Sequence, residues 1–424
     1  MKILWSVNTL MPKVAQKLGI KSSHAISWVD AMSNRLKDKE NIDIAIVSPT
    51  KNKVVSNIKL EGIKYYLINE NSTTDDWNKI IDDFNPDVIH LYGTEKQHNM
   101  PLVKMDLDIP IVISLQGILT EYERFYYGGI DISTLIKNIT IRDLVRGTIF
   151  KERKNFKKAA IIEREMLRSV KYVEGRTDWD RVASMNINNN LIYYHCPRLI
   201  REAFYNSEHW SPDNMEPYSI FIHQGNYPIK GLHFVLEALN ILKYKYPNVK
   251  LYIAGNDIIN RSNFKQKLLR NGYSKYLKSL VKKYDLESNI IFTGYLSAEK
   301  LAKKLLNCNV MVISSAIENS PNSLAEAELV GIPCIASYVG GNPEMLKDGE
   351  EGFLYCFNEP GILADKISKI FDSSELAKSF SSKAIKSASK RHNAKDLENR
   401  LIGIYKDMII REEKNRKNGY KYNS

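Results

Sequence analysis

Short apolar runs alternate with longer segments of helical periodicity along most of the chain. This alternation is typical of βαβ units and predicts mainly parallel sheets covered by helices. In the first half it predicts four strands, a helix and one long helical pattern, at Lys2–Ser6, Ile42–Ser48, Asp87–Leu91, Ile109–Leu115, Ser23–Leu36 and about Lys151 to Tyr172.

The second half repeats the alternation more cleanly. Its helix after the first strand has apolar residues at helical spacing, namely Leu232, Val235, Leu236, Leu239 and Leu242. Six strands are expected, at Tyr218–His223, Val249–Ala254, Asn289–Thr293, Asn309–Ser314, Ile332–Ser337 and Gly352–Cys356.

A polar, aromatic stretch without periodicity, Arg201–Glu216, separates the two halves. We therefore expect a first α/β domain at residues 1–200, a linker at 201–216 and a second α/β domain at 217–392. Residues 393–424 are expected to form a final helix with a charged, frayed tail.

The composition excludes wholesale disorder and a multi-span membrane protein, since 43% of the 424 residues are hydrophobic and 26% are charged. A formal charge of +12 favours anionic partners. The acids interspersed among the basic residues argue against a nucleic-acid-binding protein. A basic helix face could contact an anionic membrane, although a solvated face is the simpler alternative; it comprises Lys154, Lys157, Arg164, Arg168 and Lys171.

The four cysteines are dispersed and form no CxxC pair. They are typical of buried thiols in a reducing compartment. The N-terminal apolar stretch is too short for a signal peptide, and no segment is apolar for long enough to span a membrane. We therefore expect a cytoplasmic protein, peripheral at most on the inner membrane face.

The segment SSAIENSPNSLAEAELVG has the strongest chemical signal. A strand leads through a polar loop to a helix that should begin around Pro321, with Ser320 as its cap. Unpaired amides at the start of such a helix favour phosphate. These amides belong to Asn322, Ser323 and Leu324.

Two carboxylates flank this helix start. Glu318 precedes it and Glu326 lies about one turn inside it, so both could point at one ligand. A carboxylate beside a phosphate site makes sense when it accepts hydrogen bonds from hydroxyls, as a ribose diol would donate. The combination indicates a nucleotide-sugar site. Ordinary capping or solvated glutamates are the alternative.

Two further loops could contact a ligand. Lys230-Gly231 follows the first strand of the second half, where a lysine could place its charge on a phosphate. A surface lysine near a helix start is the alternative. Gly340-Gly341-Asn342 follows a later strand and could let the backbone approach a ligand closely, or be a plain turn.

Together the Glu318-x7-Glu326 spacing, Lys230-Gly231, LYIAGN, NIIFTGYLS, VGIPCIAS and GGNPEM–DGEEGFLY resemble the donor half of the retaining glycosyltransferases of family 4. The resemblance covers Tyr218 to about Ile370, and the first half is similar more loosely through VEGRTDWDR. It implies the GT-B fold: two Rossmann-like domains facing across a cleft, with the final helices returning to the first domain.

The resemblance also implies roles for individual residues. Glu326 would bind the ribose hydroxyls, Glu318 would face the donor sugar and Lys230 would contact the diphosphate. The loop after Thr293, with Gly294, Tyr295 and Leu296, would lie near the base. The expected substrates are a nucleoside-diphosphate sugar and a glycan or glycolipid acceptor, with no cofactor and no metal.

The sequence departs from the family pattern at Asn226, at Gln116 and at the pair Ser22-Ser23. Asn226 stands where an arginine is usual, so one phosphate charge is missing, and Gln116 stands where a histidine is common. Gln116 could hydrogen-bond a sugar but cannot take a charge. Ser22 and Ser23 replace a glycine pair in the first βα loop, and His90, at a strand end, is either a substrate contact or a structural histidine.

The resemblance implies a retaining hexosyltransferase of surface glycan synthesis, in which the leaving diphosphate can accept the acceptor's proton while the protein stabilises its negative charge. The alternatives are a non-catalytic nucleotide-sugar-binding partner and a same-fold epimerase or phosphorylase. A glycosidase with Glu318 and Glu326 as its carboxyl pair is disfavoured by the adjacent phosphate-type helix end. Asp178-Trp179-Asp180 spells a DxD metal motif, but acids in a first helical turn explain it without a metal.

Overall fold

A computed structural model describes residues 1–20, 27–51, 56–259 and 270–417. The chain forms two compact units. The first unit contains residues 1–121, 157–199 and the C-terminal segment from His392, and the second contains residues 122–156 and 200–391. Residues 122–156 thus group with the second unit, whereas the sequence pattern had assigned them to the first domain.

The first unit is built on an eight-stranded sheet with the order β3-β4-β2-β1-β5-β6-β7-β8. Only β3 runs antiparallel, pairing with β4, and the other neighbours are parallel. The strands are β1 (Lys2–Ser6), β2 (Asp43–Thr50), β3 (Ser56–Leu60), β4 (Ile63–Asn69), β5 (Val88–Tyr92), β6 (Ile111–Ser114), β7 (Tyr172–Gly175) and β8 (Ile192–His195).

The four strands predicted for the first half are confirmed as β1, β2, β5 and β6, with ends shifted by up to two residues. Four others were missed. The pattern from Lys151 was read as helix through Tyr172, but the helix ends at Ser169 and Tyr172 begins β7. Lys171 therefore lies outside the helix, and its Nζ pairs with Glu412 Oε1 at 2.8 Å.

The second unit contains a six-stranded, wholly parallel sheet with the order β11-β10-β9-β12-β13-β14. All six predicted strands are confirmed, within two residues at each end. They are β9 (Ser219–Ile222), β10 (Lys250–Ile253), β11 (Ile290–Phe292), β12 (Val310–Ile313), β13 (Cys334–Ser337) and β14 (Gly352–Tyr355).

The helices of the described ranges cover the two sheets. In chain order they are Pro12–Lys17, Ser27–Leu36, Thr74–Phe84, Met100–Val103, Leu119–Tyr122, Ile132–Lys137, Ile141–Arg146, Ile149–Ser169, Asp178–Met185, Glu202–Tyr205, Leu232–Lys245, Gly272–Lys283, Ala298–Leu306, Asn322–Val330, Asn342–Met345, Pro360–Asp372, Ser374–Arg391 and Ala394–Lys417. None of them is both long enough and apolar enough to cross a bilayer.

The amphipathic period predicted for the helix after β9 is confirmed. Within Leu232–Lys245 all five apolar positions of that period are buried. They join a continuous core formed by both faces of the second sheet, with Phe221, Leu251 and Ile335 fully buried among the strands.

Two details of the fold differ from the sequence expectations. The stretch Arg201–Glu216 was expected to lack helical structure, but it includes the short helix Glu202–Tyr205, whose Phe204 is buried. Of the four free cysteines, Cys196, Cys308 and Cys334 are buried as expected, whereas Cys356 is exposed.

Candidate functional site

The strand order of the second sheet reverses between β9 and β12. β9 is the first strand of the unit in the chain, and the next strands lie on one side of it while β12 and its successors lie on the other. In open parallel sheets, ligands bind at the carboxyl ends of the strands at such a point. The loops after β9 and β12 are therefore the first place to look for a site.

These two loops are tied together by hydrogen bonds. Ser314 Oγ donates to the carbonyl of Lys230 at 2.7 Å, and the amide of Ala316 donates to the carbonyl of Ile229 at 2.7 Å. Gly231 has φ +69°, and a Cβ there would lie 1.9 Å from the carbonyl oxygen of Ser314. Only glycine fits this close approach, which explains why glycine follows Lys230.

Lys230 and Glu318 form an ion pair across the two loops. Glu318, 7% exposed, also accepts a hydrogen bond from Ser315 Oγ at 2.7 Å. Burial by itself would lower the pKa of Lys230, but the charge of Glu318 and the neighbouring Tyr227 outweigh it and raise that pKa to about 12. Lys230 is therefore held as a cation where β9 and β12 separate.

The loop after β13 supports Glu318 from a third side. The amide of Gly341 donates to the carbonyl of Glu318 at 3.2 Å, and Ser337 Oγ donates to the carbonyl of Ser315 at 2.6 Å. Gly340 has φ +52°, and a Cβ there would lie 1.7 Å from the Glu318 carbonyl oxygen. The glycine pair thus has a defined role as a brace for the backbone of Glu318.

Glu326 lies in the helix Asn322–Val330 and is 4% exposed. Its partner is Arg201, which donates from Nε to Oε1 at 2.7 Å and from Nη2 to Oε2 at 2.8 Å. Burial raises the pKa of Glu326 above its usual value, and Arg201 offsets part of that rise. Arg201 had been read only as part of the interdomain linker.

His223 connects the two ion pairs electrostatically. It directly follows β9, and its pKa is lowered to about 4 by burial and by the charges of Arg201 and Lys230, against the opposing charge of Glu318. Both pairs also involve the segment that follows β12, because Glu318 lies in its loop and Glu326 in its helix. His223 is neutral at pH 7 and can donate or accept one hydrogen bond at each ring nitrogen.

The helix start near Glu318 differs from the expectation. Pro321 occupies the N-cap position and the helix begins at Asn322, so Ser320 is not the cap and proline is not the first helical residue. The amide of Leu324, expected to be unpaired, donates to the carbonyl of Pro321 at 3.0 Å. Asn322 and Ser323 are half-buried in the first turn of this helix.

Asn226 is exposed in the loop after β9 and lines a cavity of the second unit. Tyr227 and Pro228 line the same cavity, and residues from 130–152 and 271–276 form its other walls. Lys230 Nζ lies 5.8 Å from the centre of the Tyr227 ring. The cavity and the Lys230–Glu318 pair are therefore separated by one aromatic side chain.

The loop expected near a nucleotide base follows the edge strand β11. Gly294 has φ +72° and its carbonyl accepts from the amide of Gly255 at 2.9 Å. Tyr295 is 83% exposed, and Leu296 is half-buried and packs on the core. Tyr295 thus presents a free aromatic face on this unit.

The first unit carries a separate polar group where its parallel strands end. It consists of Asn8 after β1, Glu95 after β5, Arg176 after β7, Arg198 and Trp28. The guanidinium carbon of Arg198 lies 3.9 Å from the centre of the Trp28 ring. We call these five residues the Arg198 cluster. Neither Nε nor Nη2 of Arg198 has a hydrogen-bond partner among the residues that the structure describes.

Opposite charges mix in the Arg198 cluster. Burial and the charge of Arg176 lower the pKa of Arg198 well below its usual value, while burial and the charge of Glu163 raise the pKa of Glu95. Asn8 Nδ2 donates to Glu95. Two guanidinium groups beside a carboxylate and an amide are suited to a ligand with both an anionic group and hydroxyls. Arg176 lies in the segment VEGRTDWDR that carries the looser resemblance, whereas Arg198 was not predicted as a site residue.

The chain is similar to known proteins in sequence and in fold. Residues 206–387 match the family model described as Glycosyl transferases group 1. Sucrose-phosphate synthase from Thermosynechococcus elongatus superposes with a TM-score of 0.69 at 12% identity, covering 97% of this chain and 100% of that chain. HepE from Anabaena in complex with UDP superposes with a TM-score of 0.67 at 16% identity, covering 96% and 100%. This chain has the GT-B fold.

The GT-B chain also has curated relatives that are similar in sequence. N-acetyl-alpha-D-glucosaminyl L-malate synthase of Bacillus anthracis is 28% identical over 32% of this chain and 35% of its own length. Lipopolysaccharide 1,6-galactosyltransferase of Salmonella typhimurium is 29% identical over 36% and 39%. An uncharacterized glycosyltransferase of Methanocaldococcus jannaschii is 24% identical over 83% and 86%. The first of these matches spans about a third of the relative's length.

Not all of the expected residues gather at the β9–β12 end of the GT-B chain. Gln116 belongs to the first unit, where its Nε2 donates to the carbonyl of Tyr92 at 3.0 Å and its carbonyl accepts from Arg176 Nη2 at 2.6 Å. His90 is 1% exposed, and its Nδ1 lies 2.6 Å from Tyr405 Oη, so it lies in the core rather than at a surface that a substrate could reach. Ser22 and Ser23 lie outside the described residues.

The DxD-like triplet also has a structural explanation in the GT-B chain. Thr177 and Asp180 form a reciprocal capping box at the start of the helix Asp178–Met185. Asp180 further accepts a hydrogen bond from Tyr193 Oη at 2.6 Å. This carboxylate is used to hold a helix end and a strand together.

Proposed function

We propose that this chain is a retaining glycosyltransferase that moves a hexose or related sugar from a nucleoside diphosphate to a glycan or lipid-linked glycan acceptor. The observation that carries the proposal is that two ion pairs, Lys230–Glu318 and Arg201–Glu326, involve the loop and the helix that follow β12, at the switch point of a parallel sheet. Two fixed cations and two buried carboxylates match the opposite needs of a diphosphate and of sugar hydroxyls.

Each residue has a distinct role in this proposal. Lys230 neutralises the diphosphate, and because its ammonium has three donors it can keep Glu318 while binding a phosphate oxygen. Glu318 orients hydroxyls of the donor sugar, and Glu326 accepts from the ribose hydroxyls. Asn322 and Ser323 contact phosphate oxygens at the helix start. Tyr295 and Leu296 contact the base, and Asn226 adds a neutral hydrogen bond.

The reaction needs no tuned general base. The bond from the anomeric carbon to the diphosphate oxygen breaks, the bond to the acceptor oxygen forms on the same face, and the acceptor's proton passes to the leaving diphosphate. The residues described here stabilise the negative charge that develops on that group. The proposal includes no metal and no organic cofactor, and it includes Gln116 as a hydrogen-bonding contact to a sugar.

The Arg198 cluster is proposed as the site for the acceptor. Its two guanidinium groups favour an acceptor with an anionic group. The Trp28 ring holds Arg198 in place through a cation–π contact. An Arg198→Gln variant should raise the KM for an acidic acceptor about tenfold or more while leaving the KM for the donor unchanged. An equal rise in both would remove the acceptor assignment.

The decisive experiment has two steps. A thermal-shift panel of UDP-, GDP- and ADP-sugars identifies the donor, starting with UDP-glucose because HepE was crystallised with UDP. NMR of the product then reports the anomeric configuration after transfer. A stabilising donor and a product with the donor's configuration are expected. Inversion would refute retention, and an absence of any stabilising nucleotide sugar would refute the donor site.

A non-catalytic nucleotide-sugar-binding protein is the second candidate. It is favoured by one observation, the neutral Asn226 exposed where an added phosphate charge would be expected. This candidate predicts donor binding with no transfer to any acceptor. Single-turnover transfer from a bound, labelled donor would exclude it.

A further inference from the structure

Two consecutive short helices of the second unit turn large aliphatic side chains toward solvent. Their exposed fractions are 58% for Ile132, 56% for Ile136, 72% for Ile141, 71% for Leu144 and 79% for Val145. We call these five residues the aliphatic patch. Exposed apolar residues that are grouped together, unlike scattered single ones, mark interaction sites in folded proteins.

The helices that carry the aliphatic patch are firmly built. Asp131 caps Ile132–Lys137 by accepting from the amide of Thr134 at 2.8 Å, and Thr140 and Asp143 form a capping box for Ile141–Arg146. The exposure therefore belongs to ordered helices rather than to a frayed chain.

The same helices are also anchored to the rest of the second unit. Thr140 Oγ1 donates to the carbonyl of Arg270 at 2.9 Å, and Lys275 Nζ donates to the carbonyl of Lys137 at 3.1 Å. Leu135, on the inner side of the first helix, is 7% exposed and joins the core. The apolar residues that face outward are thus not needed to hold these helices in place.

Positively charged residues flank the patch along the chain and outnumber the acids. Residues 131–156 contain six Lys/Arg and three Asp/Glu. One of the acids, Asp143, is buried and pairs with Arg142 at 3.3 Å, which leaves an excess of exposed cations. These exposed cations are Lys137, Arg146, Lys151 and Lys154.

We propose that the aliphatic patch and its surrounding cations dock this chain on an anionic phospholipid surface. Exposed aliphatic residues insert at the boundary between headgroups and acyl chains, while lysine and arginine are attracted to the negative headgroups. A symmetric dimer through the same patch is disfavoured because it would bring two sets of cations together. The inference rests on the proposed function in one respect: a lipid-linked acceptor lies at a membrane, so docking there would bring the enzyme to its acceptor.

This surface shares only Lys154 with the helix face that the sequence suggested. That face included Lys171, which pairs with Glu412, and the two arginines Arg164 and Arg168. On the helix that carries these arginines, Ile149–Ser169, Ile161 is the only large apolar residue that is exposed. Charge alone gives weaker and more salt-sensitive membrane binding than charge combined with inserted side chains. The aliphatic patch supplies both.

The test is sedimentation of the full chain with vesicles of phosphatidylcholine, with and without phosphatidylglycerol. Wild type should bind the anionic vesicles and bind phosphatidylcholine vesicles poorly. An Ile141→Ser/Leu144→Ser variant should lose binding about tenfold or more. The matched control is Ile241→Ser/Ile362→Ser, which removes isoleucines that are 47% and 44% exposed on other helices of the same unit. It should bind as wild type does.

Charge variants complete the test. Arg146→Gln/Lys154→Gln should lose only the preference for anionic vesicles, and Arg164→Gln/Arg168→Gln should change little. Unaltered melting temperatures and nucleotide affinities would show that each variant is folded. The proposal is overturned if wild type stays in the supernatant, if only the Arg164/Arg168 variant loses binding, or if the patch variant merely dissociates a dimer. Failure of transfer to a water-soluble acceptor would instead count against the proposed function alone.

Discussion

Arg201 and Glu326 form a two-point ion pair, with distances of 2.7 Å from Nε to Oε1 and 2.8 Å from Nη2 to Oε2. The side chain of Glu326 is 5% exposed, so its charge depends on this one guanidinium for compensation. The pair joins the segment that begins the second half of the chain to the helix proposed to hold the donor. Arg201 is therefore part of the site.

An Arg201→Ala variant should be strongly destabilised, because it leaves a buried carboxylate without its partner. We expect a loss of about 3–5 kcal/mol in the free energy of unfolding, measured by urea denaturation. The double variant Arg201→Ala/Glu326→Ala should recover part of that loss, since no unpaired charge remains. The control is Lys369→Ala, which breaks a pair with Asp365 whose side chains are both 52% exposed and should cost less than about 1 kcal/mol. Equal losses in the two single variants would contradict the role of burial.

Lys230→Gln should weaken the binding of UDP but hardly affect the binding of uridine. The lysine is proposed to contact the diphosphate, and a charge-assisted hydrogen bond contributes about 1.5–3 kcal/mol. The loss also exposes the phosphates to the unpaired charge of Glu318. Calorimetric titration with both ligands measures the difference. The control is Lys250→Gln, which removes the same charge at the amino end of β10, the opposite end of the sheet from the proposed site. A parallel loss of uridine binding would show that Lys230 acts on the fold instead.

Gly340→Ala should weaken nucleotide binding more than Gly349→Ala, a substitution at a glycine with a similar backbone conformation. The new Cβ would meet the Glu318 carbonyl oxygen at 1.7 Å and displace the backbone of that residue. Gly349→Ala is the matched control, since Gly349 also has positive φ, +72°, but nothing lies within 4 Å of its added Cβ. The control should lose only about 1 kcal/mol from backbone strain. Thermal unfolding and nucleotide titration of the two variants should therefore separate, and indistinguishable behaviour would refute the bracing role of Gly340.

Glu328 should make the stability of the chain fall as pH rises through the weakly acidic range. It is 1% exposed, and burial raises its pKa from 4.5 to about 7 despite the ion pair with Arg391 at 2.8 Å. Between those values the folded chain holds a proton that the unfolded chain has released, so the free energy of unfolding decreases with pH, by up to about 3 kcal/mol.

Replacing Glu328 with glutamine should remove this contribution. Urea denaturation from pH 4.5 to 7.5 should show a shallower decline in the Glu328→Gln variant than in wild type. Glu350→Gln changes an exposed glutamate of the same unit and should keep the wild-type slope. If the slope of Glu328→Gln equals that of wild type, Glu328 is ionised in the folded chain throughout this range.

The fold was largely predictable because strands of parallel sheets are buried on both faces. Such strands appear as short apolar runs, and all six strands of the second sheet were found in this way. Two of the four missed strands, β3 and β8, are edge strands that lack that signal, since β3 contains asparagine and lysine and β8 is half-buried with two tyrosines. β4 and β7 are largely buried, and the pattern of β7 merged with that of the preceding helix.

The sequence by itself determined the two α/β domains and the glycine that directly follows Lys230. It also determined that Glu318 lies in a loop and Glu326 in the helix after it. These features follow from local spacing, because side-chain period and backbone conformation depend on neighbouring residues. Only the tertiary structure decided which charges are paired. Arg201 precedes Glu326 by 125 positions and Lys230 precedes Glu318 by 88, so no local pattern links them. The order of the parallel strands brings each pair together, and burial then makes the pairing necessary.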